Sequence, residues 1–326
     1  MNVLGIETTC DETAASVVAS GKQILSNVVA SSADLHAQYG GVFPELACRC
    51  HIETIERVIS QAIQLADVSL EQLDLIAVAK GPGLVGALLI GMNTAKGLSL
   101  SLKKPLIGVN HVEAHLYASM MGLSEIPLPA LGIVLSGGHT FLIKILDVGS
   151  YTPLSTTVDD AIGEAFDKVA SLLGLPYPGG PHIEALAKNG NPGKYPFKAG
   201  QVKENPLDFS FSGLKTNVLY TIRKNPFKKE DIAASFQETA FLDIVKKAKK
   251  ASQTFPCQAI FFGGGVTINQ RLREMFEITF DSTPLFWPPK ELCLDNAAMI
   301  AGLGFKKYIG ISDPLDMEVK TRIPVA

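Results

Sequence analysis

Cysteine is scarce. The 326 residues contain five, Cys10, Cys48, Cys50, Cys257 and Cys293, an odd number with no C-x-x-C among them. That argues against a disulfide framework and for a reducing compartment. An excess of either charge is also missing, since Lys+Arg 29 against Asp+Glu 32 leaves a net charge of −3. Proteins that hold nucleic acid mainly through counterion release carry a clear basic excess, so any such contact here must use a local patch or a partner. Low-complexity tracts are absent too, and with 47% hydrophobic and 19% charged residues the composition excludes disorder. There is no G-x-x-x-x-G-K-[ST]. Ser212-Gly213-Leu214-Lys215-Thr216 lacks both the first glycine and the direct Gly-Lys step, which excludes a P-loop enzyme. The opening MNVLGIETTC has no basic region followed by an apolar core, so no signal peptide is expected. The most lipid-like run, Leu84 to Met92, meets Asn93 and Lys96 before it is long enough to span a bilayer. A soluble cytoplasmic protein with no membrane partner is the expectation.

What is present is an α/β rhythm. Val3 to Ile6 and Ala15 to Val18 read as two strands joined by the polar turn Thr8 to Thr13. Residues 50–67 carry helical apolar spacing, and Leu73 to Ala79 reads as a buried strand ending at Gly81-Pro82-Gly83. A small-residue helix to about Leu102 and a strand from Leu106 to Val109 complete a βαβ unit. The layout then restarts. Ala130 to Leu135, Ser136-Gly137-Gly138 and His139 to Ile145 form a second strand–turn–strand, which predicts two lobes of similar topology. Residues 189–210, rich in Pro, Gly and Lys, read as a long surface excursion of the kind that is usually functional. A helix over 229–253, a strand Ala259 to Phe262, a glycine turn at 263–265 and a helix from Asn269 to Phe276 follow. The last helix begins near Asp295-Asn296.

His111 and His115 stand at i and i+4, so on a helix their directions differ by only about 40° and both imidazoles reach one divalent ion. Glu113 lies about 180° from the midpoint of the pair, unlike the general base of H-E-x-x-H. A bare pair of this spacing is more often two surface histidines. This one directly follows an apolar strand, where ligand crevices open. Asp295 is the best third ligand, its plainer role being a helix N-cap. Gly81-Pro82-Gly83, Ser136-Gly137-Gly138 and Gly263-Gly264-Gly265 follow apolar strands, where bare backbone N–H groups suit a nucleotide or phosphate. Glu7, Asp11 and Glu12 crowd the first turn, either as turn composition or as a base or metal organiser. Asp159, Asp160, Glu164 and Asp167 are expected to share one face at a helix start. Lys246, Lys247, Lys249 and Lys250, with Arg223, Lys224, Lys228 and Lys229, are the one strong basic concentration, an RNA-facing patch or a solvated helix end.

These segments together resemble the TsaD/Gcp family of tRNA N(6)-adenosine threonylcarbamoyltransferases. The resemblance is carried by Gly5 to Thr13 (GIETTCDET), Tyr39 to Ala47 (YGGVFPELA), Gly81 to Leu88 (GPGLVGAL) and the His111/His115 segment. Ser136 to Thr140 (SGGHT), Asp159 to Lys168 (DDAIGEAFDK) and Tyr177 to Pro181 (YPGGP) carry it further. So do Phe209 to Thr216 (FSFSGLKT), Gly263 to Asn269 (GGGVTIN) and Asp295 to Ala301 (DNAAMIA). The matches span nearly the whole chain in the family's order. Archaeal and eukaryotic members carry a tyrosine where this chain has Val134, and many bacterial members have Ser and Asp in place of Cys48 and Cys50.

The resemblance implies a two-lobed actin-like/sugar kinase/Hsp70 (ASKHA) fold with a ligand cleft between duplicated lobes. The first lobe is expected over 1–125 and the second over 126–294, with a C-terminal helix over 295–326 packing back on the first. It implies one divalent metal, Fe(2+) or Zn(2+), on His111, His115 and Asp295, with Asp11 and Glu12 as catalytic carboxylates. Val134, Leu135, Ser136, Gly137, Gly138, Asp167, Gly180, Glu184 and Asn269 are implied to line the adenylate and threonylcarbamoyl groups. The implied activity is an acyl transfer in tRNA modification. The threonylcarbamoyl group passes from L-threonylcarbamoyl-adenylate to the exocyclic amine of the adenosine 3′ to the anticodon, in tRNAs reading codons that begin with A, and AMP is released. The implied partners are tRNA, an inactive TsaB-like paralogue in a heterodimer, and a small TsaE-like P-loop ATPase. The rival readings are an ASKHA-type small-molecule kinase, a metalloprotease and a non-catalytic scaffold. Against the first and last stand the two histidines with Asp295; against the protease stands the placement of Glu113.

Overall fold

In a computed structural model that describes residues 1–224 and 226–323, the chain separates into two units. Met1–Ile126 joins the chain from Pro288 onward in the first, and Pro127–Trp287 forms the second. In unit 1 the strands β1 (Asn2–Glu7), β2 (Glu12–Ala19) and β3 (Gln23–Ser31) make an antiparallel meander. Strands β4 (Leu75–Gly81) and β5 (Leu106–Asn110) add in parallel on the far side of β1, giving the order β3-β2-β1-β4-β5. Between them run α1 (Ala33–Ala37), α2 (Pro44–Leu65), α3 (Val85–Leu102) and α4 (His111–Ala118). Strand side chains alternate between faces. Leu4, Ile6, Ile76 and Val78 therefore share one core with Ile55, Val58 and Ile59 of α2 and Met92 and Ala95 of α3.

Helix α2 starts at Pro44, earlier than the apolar periodicity, because proline's fixed φ suits the first helical position. Helix α3 corrects the reading of its apolar run as too short. With 18 residues and a mean hydropathy of 1.2, it is long and apolar enough to cross a membrane by length and composition alone. In this fold it packs on β4 and α2, burying Ala87, Leu88 and Met92, while Lys96 donates to the Met317 carbonyl at 2.6 Å.

Unit 2 repeats the topology. Its strands β6 (Ala130–Leu135), β7 (Thr140–Asp147) and β8 (Ser150–Thr156) form a meander, and β9 (Ile260–Gly263) and β10 (Leu285–Phe286) add in parallel beyond β6. The uninterrupted apolar run of β6 is what a central strand covered on both faces requires. The helices are α5 (Ile162–Leu172), α6 (Gly179–Ala187), α7 (Ser212–Lys224), α8 (Lys229–Ser252) and α9 (Gln270–Thr279). Helix α7 has no strong local signal, because its start is set at long range. The Asp159 carboxylate accepts from Ser210 Oγ (2.6 Å), Phe211 N (2.8 Å) and Ser212 N (3.3 Å). This corrects the expected carboxylate face. Asp159 and Asp160 precede α5, and Asp160 receives Lys168 (2.7 Å) and Lys215 (3.0 Å). The excursion before α7 holds no helix or strand, yet it ends inside the core at the fully buried Phe209 and Phe211.

The last helix, α10 (Ala297–Lys307), belongs to unit 1 and lies against β1. Gly5 makes that approach possible, since a Cβ there would sit 2.2 Å from the Ala297 carbonyl oxygen. The helix expected over 295–326 is thus much shorter. Beyond Lys307 the chain is drawn along the free edge of β5, where Gly108 N donates to Asp313 Oδ2 (2.7 Å) and Asp313 N to Leu106 O (2.8 Å). Satisfying an open strand edge competes with continuing a helix. Residues 324–326 of that expectation lie outside the described residues.

Candidate metal centre

Strand β5 delivers Asn110 to the head of α4, where its side-chain oxygen accepts from Val112 N (2.9 Å) and Glu113 N (3.4 Å). The helix therefore starts at His111, with His115 one turn on, both buried and with ring centroids 4.6 Å apart. At the head of α10 the N-cap is Asn296, which accepts from Met299 N at 3.0 Å. Of the two roles weighed for Asp295, the cap thus belongs to its neighbour. The Asp295 carboxylate approaches His115 Nε2 (3.1 Å) and His111 Nε2 (3.6 Å). One donor atom from each of His111, His115 and Asp295 lies within 4.8 Å of the others. Two imidazoles and a carboxylate are a donor set that zinc and iron both accept.

Glu7 sits beneath this set. Fully buried at the end of β1, it takes His111 Nδ1–H on Oε2 at 2.9 Å and Thr9 N–H on Oε1 at 2.6 Å. A carboxylate on the far nitrogen fixes the tautomer in which Nε2 is the nitrogen that can ligate. Sequence reasoning grouped Glu7 with Asp11 and Glu12 in the first turn, as turn composition or as a base or metal organiser; its place at the end of an apolar strand is what sets it apart from them. His115 Nδ1, also buried, has no hydrogen-bond partner among the described residues.

The electrostatics favour a cation. Burial pulls the His111 imidazole down, but the carboxylates of Glu7 and Asp295 outweigh it and raise the group to about 9. Burial and the neighbouring His111 lower His115. Glu12 is pushed up to about 10 by burial, by Asp295 and by Asp11. Burial and Asp11 likewise raise the Cys10 thiol. A protonated His111 and a protonated Glu12 would release protons when a divalent ion binds.

Two further histidines, His36 and His51, escaped notice in the sequence and brace the turn that bears Asp11 and Glu12. Phe43 N donates to His36 Nδ1 (3.2 Å), so His36 Nε2–H points at Ser32 Oγ (3.1 Å), whose hydroxyl donates to the Asp11 carbonyl (2.8 Å). His51 Nε2 lies 3.0 Å from the Cys10 carbonyl and its Nδ1 2.8 Å from Thr13 Oγ1. On the opposite side of α4, Glu113 accepts from Lys307 Nζ at 2.8 Å, so it is engaged away from the histidines.

In unit 2 the Ser136-Gly137-Gly138 turn follows β6. Val134 and Leu135 are closed into the sheet, and Val134 offers no ligand atom. Gly137 and Gly138 face open space. Gly163 at the start of α5 donates to the Ser136 carbonyl (3.2 Å), and a Cβ on it would sit 2.8 Å from Gly137 Cα. A glycine turn against a helix N-terminus is an anion-binding arrangement. Asp167 accepts from Gly179 N (2.7 Å), beside the open Gly180. Glu184 accepts from Gln270 N (2.8 Å), next to Asn269, whose amide caps α9 and donates to Gln237 (2.9 Å). A hollow of about 170 Å³ is lined there by Glu184, Gln237, Gln270 and Arg271.

The basic concentration read from the sequence divides. Lys247 is buried, donating to Asp243 (2.7 Å) and the Asp208 carbonyl (2.8 Å). The remaining lysines stand at opposite ends of α8, about 30 Å apart at 1.5 Å per residue.

A meander of three strands extended by two parallel strands occurs once in each unit, and solved structures share this arrangement. The chain superposes on HypF from T. kodakarensis with a TM-score of 0.64 at 16% identity, over 94% of this chain and 47% of that one. It superposes on the ROK hexokinase from Thermus thermophilus with a TM-score of 0.51 at 15% identity, over 94% and 97%. These likenesses show the fold, that of the actin-like/sugar kinase/Hsp70 (ASKHA) proteins. The family model for TsaD, tRNA N6-adenosine threonylcarbamoyltransferase, matches residues 23–302. The enzyme of that name from Protochlamydia amoebophila is 58% identical over 100% of this chain and 98% of its own length, and that from Thermosipho africanus is 46% identical over 100% of both. The chain belongs to the tRNA N6-adenosine threonylcarbamoyltransferase family.

Proposed function

We propose that this chain transfers the threonylcarbamoyl group of L-threonylcarbamoyl-adenylate to the N6 amine of the adenosine 3′ to the anticodon, in tRNAs reading codons that begin with A. The observation that carries the reading is the convergence of His111, His115 and Asp295, with Glu7 behind His111, in a chain of this family. The acceptor amine is a poor nucleophile because its lone pair is delocalised into the purine. In the reaction the N–C bond to the carbamoyl carbon forms, the C–O bond to the phosphate breaks, and AMP leaves with the electron pair. One Fe(2+) or Zn(2+) on the three ligands supplies Lewis acidity toward donor oxygens when bound. Glu7 holds His111 in the ligating tautomer. Asp11 accepts the proton lost from the amine, while Glu12, kept protonated beside it, donates a hydrogen bond. The backbone N–H groups of Gly137 and Gly138, residues at which a Cβ would meet open space, stabilise the anhydride phosphate and the departing AMP. Val134, Leu135 and Ser136 shape that turn, and Asp167, Gly180, Glu184 and Asn269 complete the adenylate-binding set.

On this reading the protein works in the cytoplasm, with an inactive TsaB-like paralogue and a small TsaE-like ATPase as partners. Val85, Leu89 and Leu100, exposed along α3, support a protein partner on unit 1. The metalloprotease reading loses its base, since Glu113 is bound to Lys307. The test is a single-turnover reaction of the chain and its partners with threonylcarbamoyl-adenylate and unmodified tRNA, read by mass spectrometry of the digested RNA. Threonylcarbamoyl-adenosine that forms with the unsubstituted chain and disappears with His111→Ala supports the assignment. Ligand-dependent ATP hydrolysis without that product would replace it with a kinase.

A further inference from the structure

Two stretches of sequence far apart in the chain are free of acidic residues and rich in cations. Residues 188–194 carry Lys188 and Lys194, and residues 223–229 carry Arg223, Lys224, Lys228 and Lys229. The fold brings them together. Gly190 lies so close to the first turn of α8 that a Cβ on it would sit 2.0 Å from the Glu230 carbonyl oxygen. Asn191 N donates to Asp231 Oδ1 at 2.8 Å, and Tyr195 N to Ser235 Oγ at 3.2 Å. Lys188 and Lys194 therefore flank the same helix start that Lys228 and Lys229 precede, and Arg223 and Lys224 end the helix before it. All six are exposed. Among the described residues no ion pair engages Lys194, Lys228 or Lys229. Six exposed cations gathered around the two carboxylates of that helix turn, Glu230 and Asp231, with Asp231 already accepting from Asn191 N, raise the local potential of a chain whose net charge is −3.

We propose that this cluster, at the N-terminal end of α8 and the start of the 188–211 excursion, is a contact surface for the phosphate backbone of the tRNA. The proposal rests on the tRNA substrate of the preceding reading and adds the surface that engages it. A protein that is acidic overall needs such a local source of counterion release, and lysines serve sequence-independent phosphate contact as point charges. The excursion is suited to the task because its backbone is tied down at Asn191, Tyr195 and Leu207. Its cations are thus positioned before binding.

The test compares two triple substitutions in the assembled complex of the chain with its partners. Lys194→Gln, Lys228→Gln and Lys229→Gln together remove three cations from the cluster. Lys246→Gln, Lys249→Gln and Lys250→Gln remove three exposed cations from the opposite end of α8. Binding of a fluorescent unmodified tRNA transcript is titrated across a range of potassium chloride. If each lysine meets one phosphate, the slope of log affinity against log salt falls by roughly 2–3 for the first variant, and affinity near 0.15 M salt falls by up to about 100-fold. Single-turnover transfer at saturating tRNA and the melting temperature are expected to stay unchanged. The second variant is expected to keep the unsubstituted slope. An unchanged slope in the first variant overturns the proposal, and so does an equal loss in both. A complex that binds no tRNA even without substitutions would overturn the tRNA reading itself, and this surface with it.

Discussion

Replacing Glu7 by glutamine separates two effects that one carboxylate exerts on the metal centre. The buried carboxylate serves two donors, His111 Nδ1–H and Thr9 N–H, through its two oxygens. Glutamine has one oxygen and an NH2 group, so one donor loses its acceptor and meets another donor instead. Loss of such an outer carboxylate typically costs about 10- to 100-fold in metal affinity. The same carboxylate also stabilises the competing proton, because His111 sits at about 9 in the metal-free protein. Ligation requires that proton to leave. At pH 7, two units below, its removal costs about 2.7 kcal/mol, or about 100-fold in affinity. Zinc affinity of the unsubstituted protein should therefore rise about tenfold per pH unit between 7 and 9 and flatten above. In Glu7→Gln the imidazole loses its main support and burial prevails, so the affinity should be nearly flat over that range. The variant is expected to bind about 10- to 100-fold more weakly at pH 9, with the gap closing toward pH 7. Chelator competition at each pH measures this, with calorimetry in two buffers to count released protons. Parallel curves, or equal affinity at pH 9, would refute the account of Glu7.

Glu12→Gln should raise the melting temperature of the metal-free protein near pH 7–8. A carboxyl raised to about 10 destabilises the fold increasingly as pH climbs above its ordinary value, so the advantage should vanish as pH falls toward 4.5; a constant offset across pH would count against it. Lys307→Met leaves the buried Glu113 carboxylate alone and is expected to cost about 3–5 kcal/mol in chemical denaturation, most of it recovered in the Glu113→Gln/Lys307→Met double variant. Transfer activity should survive in that double variant, whereas a protease using Glu113 as base would lose its activity. Gly5→Ala drives a methyl into the Ala297 carbonyl and should push α10 off β1, costing at least about 1–3 kcal/mol and weakening metal binding through displacement of Asp295. Metal affinity unchanged in a folded Gly5→Ala protein would show that α10 does not set the position of Asp295.

Much of this was legible because it is local. Apolar runs at Leu75–Gly81, Leu106–Asn110 and Ala130–Leu135 announce strands buried on both faces, and glycines directly after strands announce turns with bare backbone. The i, i+4 pair of histidines needs only the helical repeat to bring two imidazoles to one ion. The excursion over 189–210 was visible as composition. What lay beyond reach depended on partners distant in sequence. Helix α7 is started by Asp159, more than fifty residues upstream. The lysines of 246–250 and 223–229 look like one cluster on paper because both are basic, but a helix of 24 residues holds them apart.

The chain on its own terms determined the elements, the two-fold repetition of its layout and the candidate metal-ligating side chains, since each follows from short-range periodicity, turn chemistry and motif spacing. Only the tertiary structure decided that Glu7 supports His111, that Asn296 rather than Asp295 caps the last helix, and that two cation-rich stretches meet at the start of α8. Those outcomes depend on burial and on hydrogen-bond partners drawn from remote segments. Burial sets the charge state of a carboxylate, and remote partners set which of two adjacent side chains caps the helix and which approaches the histidines.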